Sequence, residues 1–140
     1  MKPVLTFLVI DDNPDSRFLL VKTLLRKFPQ AAVEECHQPE VVVEKAVAGR
    51  PAAIVVHRTA EVDGVTLIGL LRRSLPVVPI VMVSGIDRTV QALAAGATRF
   101  LHYDEWLRIG TVVAQLLDHG GPGPPESARA GEAAPTDERR

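Results

Sequence analysis

The sequence predicts an α/β fold in which a parallel β-sheet of five strands carries helices on both faces. Three apolar runs, at residues 7–10, 51–56 and 79–83, are short and unbroken. Unbroken runs of this length are typical of strands buried on both faces of a parallel sheet. Segments with helical spacing of apolar residues separate the runs. Alternating strands and helices indicate a doubly wound sheet built with right-handed crossovers.

The other elements follow from periodicity and from residues that start or stop helices. Pro14 favours the first turn of a helix that ends before Pro29, with Asp12 or Asn13 as its cap. Asp104 is expected to cap the last helix. The remaining predictions are strands at 31–36 and 98–102 and helices at 39–48, 65–75, 87–95 and from 104 onward.

Length and composition indicate one folded domain followed by a polar segment. The chain has 140 residues, and its 46% hydrophobic content is sufficient for one core. Residues 119–140 contain almost no large apolar side chain, so they cannot bury a core of their own. We therefore predict a folded domain at residues 1–118 and a disordered tail or linker at residues 119–140.

Charge and cysteine content exclude several classes of function. The 16 basic and 17 acidic residues give a formal net charge of -1, which provides no electrostatic basis for binding nucleic acid or a membrane surface. The single cysteine, Cys36, excludes an intrachain disulfide and fits a reducing compartment. No apolar run reaches the roughly 18 residues that a membrane-spanning helix needs. The prediction is a soluble cytoplasmic protein.

The first apolar run leads directly into two adjacent acids, Asp11 and Asp12. Ligands of open α/β sheets bind at the carboxyl ends of the strands, which is where these acids are expected. Neighbouring carboxylates repel each other unless a cation or a proton relieves the repulsion. The pair therefore suggests a cation site, although one of its members could instead serve as the cap of the following helix.

Several motifs occur in one order along the chain: Asp11-Asp12 after the first strand, Asp63-Gly64 before the third helix, Ser84-Gly85 after the fourth strand, Gly96-Ala97 before the fifth strand, and Phe100 within it. In this order they resemble a bacterial response regulator receiver domain of the flavodoxin-like (βα)5 type over residues 4–118. The resemblance implies a signalling protein without enzymatic activity of its own.

Resemblance to receivers also implies a particular chemistry and particular partners. In that family a histidine kinase phosphorylates an Asp after strand three, and two acids hold the divalent cation that assists. Ser84 stands where the family has a hydroxyl that contacts the phosphoryl group, and Phe100 stands at its switch aromatic. A surface made of helix 4, strand 5 and helix 5, which includes Trp106, is expected to bind a protein partner or a second copy. Trp106 could instead be an edge of the core.

Two positions depart from the receiver pattern. His57 stands where the acceptor Asp is expected, and a different placement of the gap puts Val56 there instead. Tyr103 stands where the family has its Lys. Without the third acid, Asp11 and Asp12 form a poor magnesium site, so weak magnesium binding is the most that we expect and no cofactor is required. This pattern predicts a pseudo-receiver that works without phosphorylation.

His57 admits three roles: phosphate acceptor, transition-metal ligand beside the acids, or structural partner of a carboxylate. We favour the third role, because metal sites usually need further supporting groups. The alternative function is a conventional, magnesium-dependent receiver that a histidine kinase phosphorylates on another acid, such as Asp63. A flavin- or nucleotide-binding enzyme is disfavoured, because no glycine-rich turn follows the first strand. Arg72 and Arg73 are expected to form a solvated helix end.

Overall fold

The computed structural model describes residues 4–59 and 62–118, so the predicted tail at 119–140 lies outside the described residues. None of the helices in these two ranges has the length and apolar character needed to cross a membrane. The strands are β1 Thr6–Ile10, β2 Ala32–Cys36, β3 Ala53–Val56, β4 Ile80–Ser84 and β5 Arg99–His102. The helices are α1 Pro14–Lys27, α2 Pro39–Gly49, α3 Gly64–Ser74, α4 Thr89–Ala95 and α5 Ile109–Asp118, with a 3₁₀ helix at Tyr103–Arg108.

The strands form one parallel sheet in the order β2-β1-β3-β4-β5, which confirms the predicted fold class. Ile10 at the end of β1 pairs with Cys36 on one side and with Val56 on the other. The carboxyl ends of β1 and β3 are therefore level with each other. Because the chain order reverses direction beside β1, the loops after β1 and β3 diverge and leave a crevice at this edge.

Side chains of the sheet alternate between two apolar layers. Phe7, Val9 and Val55 face α1 and α5, whereas Leu8, Ile10 and Val56 face α2, α3 and α4. All six side chains are buried. Burial of each such side chain contributes roughly 1.5–3 kcal/mol to folding. The uninterrupted apolar runs of the sequence thus reflect a sheet that is covered on both faces.

Local polar contacts mark the starts of α1 and α4. The Asn13 side chain accepts a hydrogen bond from the Ser16 amide at 2.9 Å, which makes Asn13, and not Asp12, the cap of α1. Before α4, the Asp87 carboxylate accepts from the Thr89 amide at 3.0 Å. These contacts satisfy backbone N–H groups that have no partner within the first helical turn.

The prediction that the last helix begins at Asp104 with that residue as its cap is wrong. Residues Tyr103–Arg108 form a 3₁₀ helix, and α5 begins only at Ile109. Glu105 leaves helical geometry with φ -107° and ψ 26°, which separates the two turns. The cap is His102, whose Nδ1 accepts from the Asp104 amide at 3.2 Å. The apolar periodicity did not reveal this change of helix type.

Arg72 differs from the solvated side chain that the sequence suggested. Its guanidinium donates to the carbonyl oxygens of Leu75, Val78 and Gly96 at 2.8, 2.7 and 2.9 Å. Gly96 has a φ of +119°, and a Cβ at this position would lie 2.8 Å from Arg72 Cγ. Burial lowers the pKa of the Arg72 guanidinium from its ordinary value. Arg72 therefore joins the end of α3 to the end of α4.

The Arg72→Met variant should lower the free energy of unfolding by about 2–3 kcal/mol, because three carbonyl oxygens lose a charged donor while the aliphatic stem is kept. The measurement is urea denaturation followed by circular dichroism. The matched control is Arg73→Met, since Arg73 is exposed on the same helix end. Equal stability losses in the two variants would show that Arg72 does not join these elements.

Candidate functional site

The carboxyl ends of β1 and β3 bring Asp11 and His57 into contact. The His57 amide donates to the Ile10 carbonyl at 2.9 Å, and the Asp12 amide donates to the Arg58 carbonyl at 2.9 Å. These two hydrogen bonds continue the β1–β3 pairing beyond the ends of both strands. They place His57 Nδ1 3.0 Å from Asp11 Oδ2. The predicted pairing of His57 with a carboxylate is thus present in the structure.

Asp11 is completely buried, and both of its carboxylate oxygens are engaged by the protein. Oδ1 accepts from the Asn13 amide at 2.9 Å. Oδ2 accepts from the Ser16 hydroxyl and contacts His57 Nδ1. A buried carboxylate is costly unless it is paired and hydrogen-bonded, and here three donors meet that requirement. These contacts engage both Asp11 carboxylate oxygens, which are the atoms that would coordinate a metal ion.

Arg17 supplies positive charge next to Asp11. One of its terminal nitrogens donates to the Asp11 carbonyl at 2.7 Å, and its Nε donates to the Glu35 carboxylate at 2.9 Å. Its side chain is only 19% exposed. Neither Ser16 nor Arg17 was predicted from the sequence to be a site residue. Their positions, one helical turn after Asn13, were a signal that could have placed them near the end of β1.

Tyr103 covers the imidazole of His57. The two ring centroids are 4.6 Å apart and the ring planes differ by 3°, so the rings are stacked. Tyr103 begins the 3₁₀ helix immediately after β5, and β5 is separated from β3 by β4. The His57 side chain is 6% exposed. Its ring is therefore held in place by Asp11 at Nδ1 and by the Tyr103 ring on one face.

Asp12 has different surroundings from those of Asp11. Its side chain lines a cleft of about 340 Å³ together with His57, Ser84, Asp63 and Arg88. Among residues 4–59 and 62–118 no three His, Cys, Asp or Glu side chains are grouped closely enough to hold a metal ion. Asp11 is thus buried whereas Asp12 lines the cleft, so the two neighbouring acids have different surroundings.

Asp63 and Arg88 close one side of this cleft with an ion pair. Arg88 uses both terminal nitrogens, at 2.6 and 3.2 Å from the two Asp63 oxygens. The hydrogen bond from Arg88 lowers the pKa of the Asp63 carboxyl, and the same contact raises the pKa of Arg88. Asp63 is the residue immediately before α3. The sequence did not indicate that Arg88, immediately before α4, is the partner of Asp63.

Ser84 and Phe100 occupy different parts of the predicted site. Ser84 lines the first cleft and also a second one of about 390 Å³, where it lies with His57 and Tyr103. Its hydroxyl accepts from the Ile86 amide at 3.1 Å. Phe100 is half-buried against the core on the face of α2, α3 and α4, and it lines neither cleft. Trp106 is half-buried against the opposite core layer.

Comparison with protein families matches residues 7–104 to the response regulator receiver domain. This match spans most of the chain, and the chain belongs to the response regulator receiver family. Receivers interact with partner proteins such as kinases or effector domains. A comparison with curated proteins found no match.

Solved receiver structures resemble the chain over most of its length. The signal receiver domain of the response regulator NarL from Mycobacterium tuberculosis is 22% identical, with a TM-score of 0.70 over 84% of this chain and 98% of that one. A CheY-like receiver from Methanospirillum hungatei is 17% identical, with a TM-score of 0.69 over 84% and 100%. A response regulator from Burkholderia pseudomallei is 26% identical, with a TM-score of 0.64 over 82% and 72%.

The His57→Ala variant should lower the free energy of unfolding by about 2–4 kcal/mol, because it leaves the buried Asp11 carboxylate with one donor fewer. His37→Ala is the matched control, since His37 is exposed, and it should change stability by less than about 0.5 kcal/mol. Chemical denaturation at neutral pH measures both. If the two variants were equally stable, the Asp11–His57 contact would contribute nothing to folding.

Proposed function

We propose that this domain is a pseudo-receiver, a signalling module that binds protein partners without being phosphorylated. The observation that carries the proposal is the contact between Asp11 and His57. In an active receiver the end of β3 would present a third carboxylate beside the acids of β1, whereas here an imidazole nitrogen lies 3.0 Å from Asp11 Oδ2. The contact gives the Asp11 carboxylate a structural role. His57, at the end of β3, brings no carboxylate that could accept a phosphoryl group.

Backbone pairing supports His57 as the counterpart of the acceptor Asp. His57 is the first residue after β3, and its amide bonds to Ile10, the last residue of β1. Val56, the alternative, is completely buried in the core layer of α2 and α3 and faces away from Asp11. Neither residue carries a carboxylate. The acceptor position is therefore filled by a side chain that cannot form an acyl phosphate.

The residues present do not fit a magnesium ion. Magnesium needs near-ideal octahedral geometry and usually one or two available carboxylates. Here Asp11 is occupied by Asn13, Ser16 and His57, and only Asp12 faces the cleft. We propose that the site requires no cofactor and that any magnesium binding is weak. Arg17 donates to the Asp11 carbonyl and His57 contacts the Asp11 carboxylate, so groups of the protein itself surround this acid.

Tyr103 supports the same conclusion from the opposite side of the site. The resemblance places the family Lys at this residue, and a Lys there would neutralise a phosphoryl group. Tyr103 has no such charge and instead stacks on His57 with ring centroids 4.6 Å apart. The Burkholderia pseudomallei structure contains a phosphorylated aspartic acid and a calcium ion. His57 cannot carry an aspartyl phosphate, and Tyr103 cannot supply the positive charge of a Lys.

Asp63 is the acid on which the alternative, a conventional receiver, would depend. Both of its oxygens contact the Arg88 guanidinium, and it lies seven positions beyond the end of β3, directly before α3. A nucleophilic carboxylate needs a free oxygen, and the ion pair lowers the availability of both. The geometry therefore favours the pseudo-receiver over phosphorylation at Asp63.

Incubation with acetyl phosphate and magnesium should leave the mass of the wild-type chain unchanged. The double variant His57→Asp with Tyr103→Lys restores the two absent groups and should gain one phosphoryl group, measured by intact-mass spectrometry and mapped to residue 57. The same double variant carrying Asp63→Asn should react equally well. Modification of the wild-type chain at Asp63 would instead establish the conventional receiver and would end the pseudo-receiver proposal.

Exposed apolar side chains around α4 offer a surface for a protein partner. Ile86, Val90 and Leu107 are 72%, 77% and 65% exposed, and they lie before α4, on α4 and on the 3₁₀ helix. Leu93, one turn after Val90, is 47% exposed on the same helix. We propose that these apolar side chains, next to β5 and α5, bind a second copy of the chain.

Substitution of Val90 and Leu107 by Lys should weaken self-association by about tenfold or more, because it places two charges in an apolar contact. Sedimentation equilibrium measures the association. Phe18→Lys is the control, since Phe18 is 59% exposed but lies on α1, which packs on the face of the sheet opposite to that of α4. A wild-type chain that stays monomeric at all concentrations would exclude self-association and leave other proteins as partners.

A further inference from the structure

We propose that the Asp63–Arg88 ion pair is a latch that holds the loop before α4, together with the first turn of α4, against the loop before α3. The pair joins two segments that are separated by 25 positions in the chain. Asp63 immediately precedes α3, and Arg88 immediately precedes α4. The two residues of the latch line the same cleft as Asp12 and Ser84. The latch operates whether or not the site is phosphorylated.

The geometry of the pair suits this role. Two nitrogens of one guanidinium face two oxygens of one carboxylate, and such paired contacts fix orientation as well as distance. The Asp63 side chain is 46% exposed and that of Arg88 is 31% exposed. Partly exposed ion pairs add little to global stability. The pair can nevertheless determine how often a local segment opens, because local opening involves few other contacts.

Few other contacts hold the beginning of α4. The helix has seven residues, and Ala92 is its one buried side chain. Ile86 and Val90, on either side of Arg88, are largely exposed and contribute little packing. The other side-chain hydrogen bonds to amides of this segment are internal, from the Ile86 amide to the Ser84 hydroxyl and from the Thr89 amide to Asp87. These internal contacts do not connect the segment to α3.

The other end of α4 is fixed independently. Gly96 follows the helix, and its carbonyl oxygen accepts from Arg72 of α3 at 2.9 Å. The Ala97 amide donates to the Ala92 carbonyl at 2.9 Å, which closes the last turn. α4 is therefore attached to the α3 side of the domain by one arginine at each end. Release of Arg88 frees the beginning of the helix while Arg72 retains its end, so α4 can pivot.

The pivot would alter the surface proposed above for the second copy, since Val90 lies two residues after Arg88 and Ile86 two residues before it. Opening the latch changes the spacing between these side chains and Leu107, which lies on a different element. We infer the latch from the Asp63–Arg88 geometry alone. The inference therefore does not depend on whether the surface binds a second copy.

Amide hydrogen exchange of the full chain, read by NMR, tests the latch. The reporters are the hydrogen-bonded amides of Ile86, Thr89 and Ala92. Arg88→Gln and Asp63→Asn should each raise exchange at these amides by about three- to tenfold, without a change at Ala97. The double variant should exchange no faster than either single variant, because both changes remove the same contact.

Arg108→Gln is the matched control, because it removes an ion pair with Glu105 that is exposed and lies within the 3₁₀ helix. It should leave the three reporter amides unchanged. Salt at 1 M or so should speed their exchange in the wild-type chain and have no such effect in Arg88→Gln. The latch is refuted if the single variants exchange like the wild type, or if exchange rises equally in β1, which would indicate a loss of global stability instead.

Discussion

Burial of the Asp11 carboxylate is the constraint on which the arrangement of this site depends. The sheet carries Asp11 to a position with no solvent exposure, where an ionised group must be satisfied by other groups of the protein. Asn13 and Ser16 of α1 provide two donors, and His57 of β3 provides the third contact. The imidazole at residue 57 therefore completes a set of contacts, all internal to the protein, that satisfies the Asp11 carboxylate.

Much of the fold could be predicted, because the strands of a doubly wound sheet are buried on both faces and read as unbroken apolar runs. The acid pair, His57 and Tyr103 could also be placed at one edge from strand ends alone. The different orientations of Asp11 and Asp12 could not be predicted, because the directions of adjacent side chains at a strand end depend on local backbone geometry. Asp11 turns inward and Asp12 faces the cleft.

The arginines show most clearly where sequence reasoning fails. Arg72 was expected to be solvated, yet Arg72, Arg17 and Arg88 each bind a partner from a distant part of the chain. A long side chain can reach several ångströms in many directions, so its helical position does not determine its contacts. The start of α5 was missed for a related reason, since a 3₁₀ turn and an α turn carry similar apolar spacing.

The stack of Tyr103 on His57 has a consequence for how this domain can change over time. A single substitution of His57 by Asp would put a third carboxylate beside Asp11 and Asp12, with Tyr103 providing no cation to offset it. A single substitution of Tyr103 by Lys would remove the ring that covers His57 and add a charge next to an imidazole. Under the pseudo-receiver proposal, each single substitution towards an aspartyl-phosphate site thus passes through a destabilised intermediate, and the two changes are needed together.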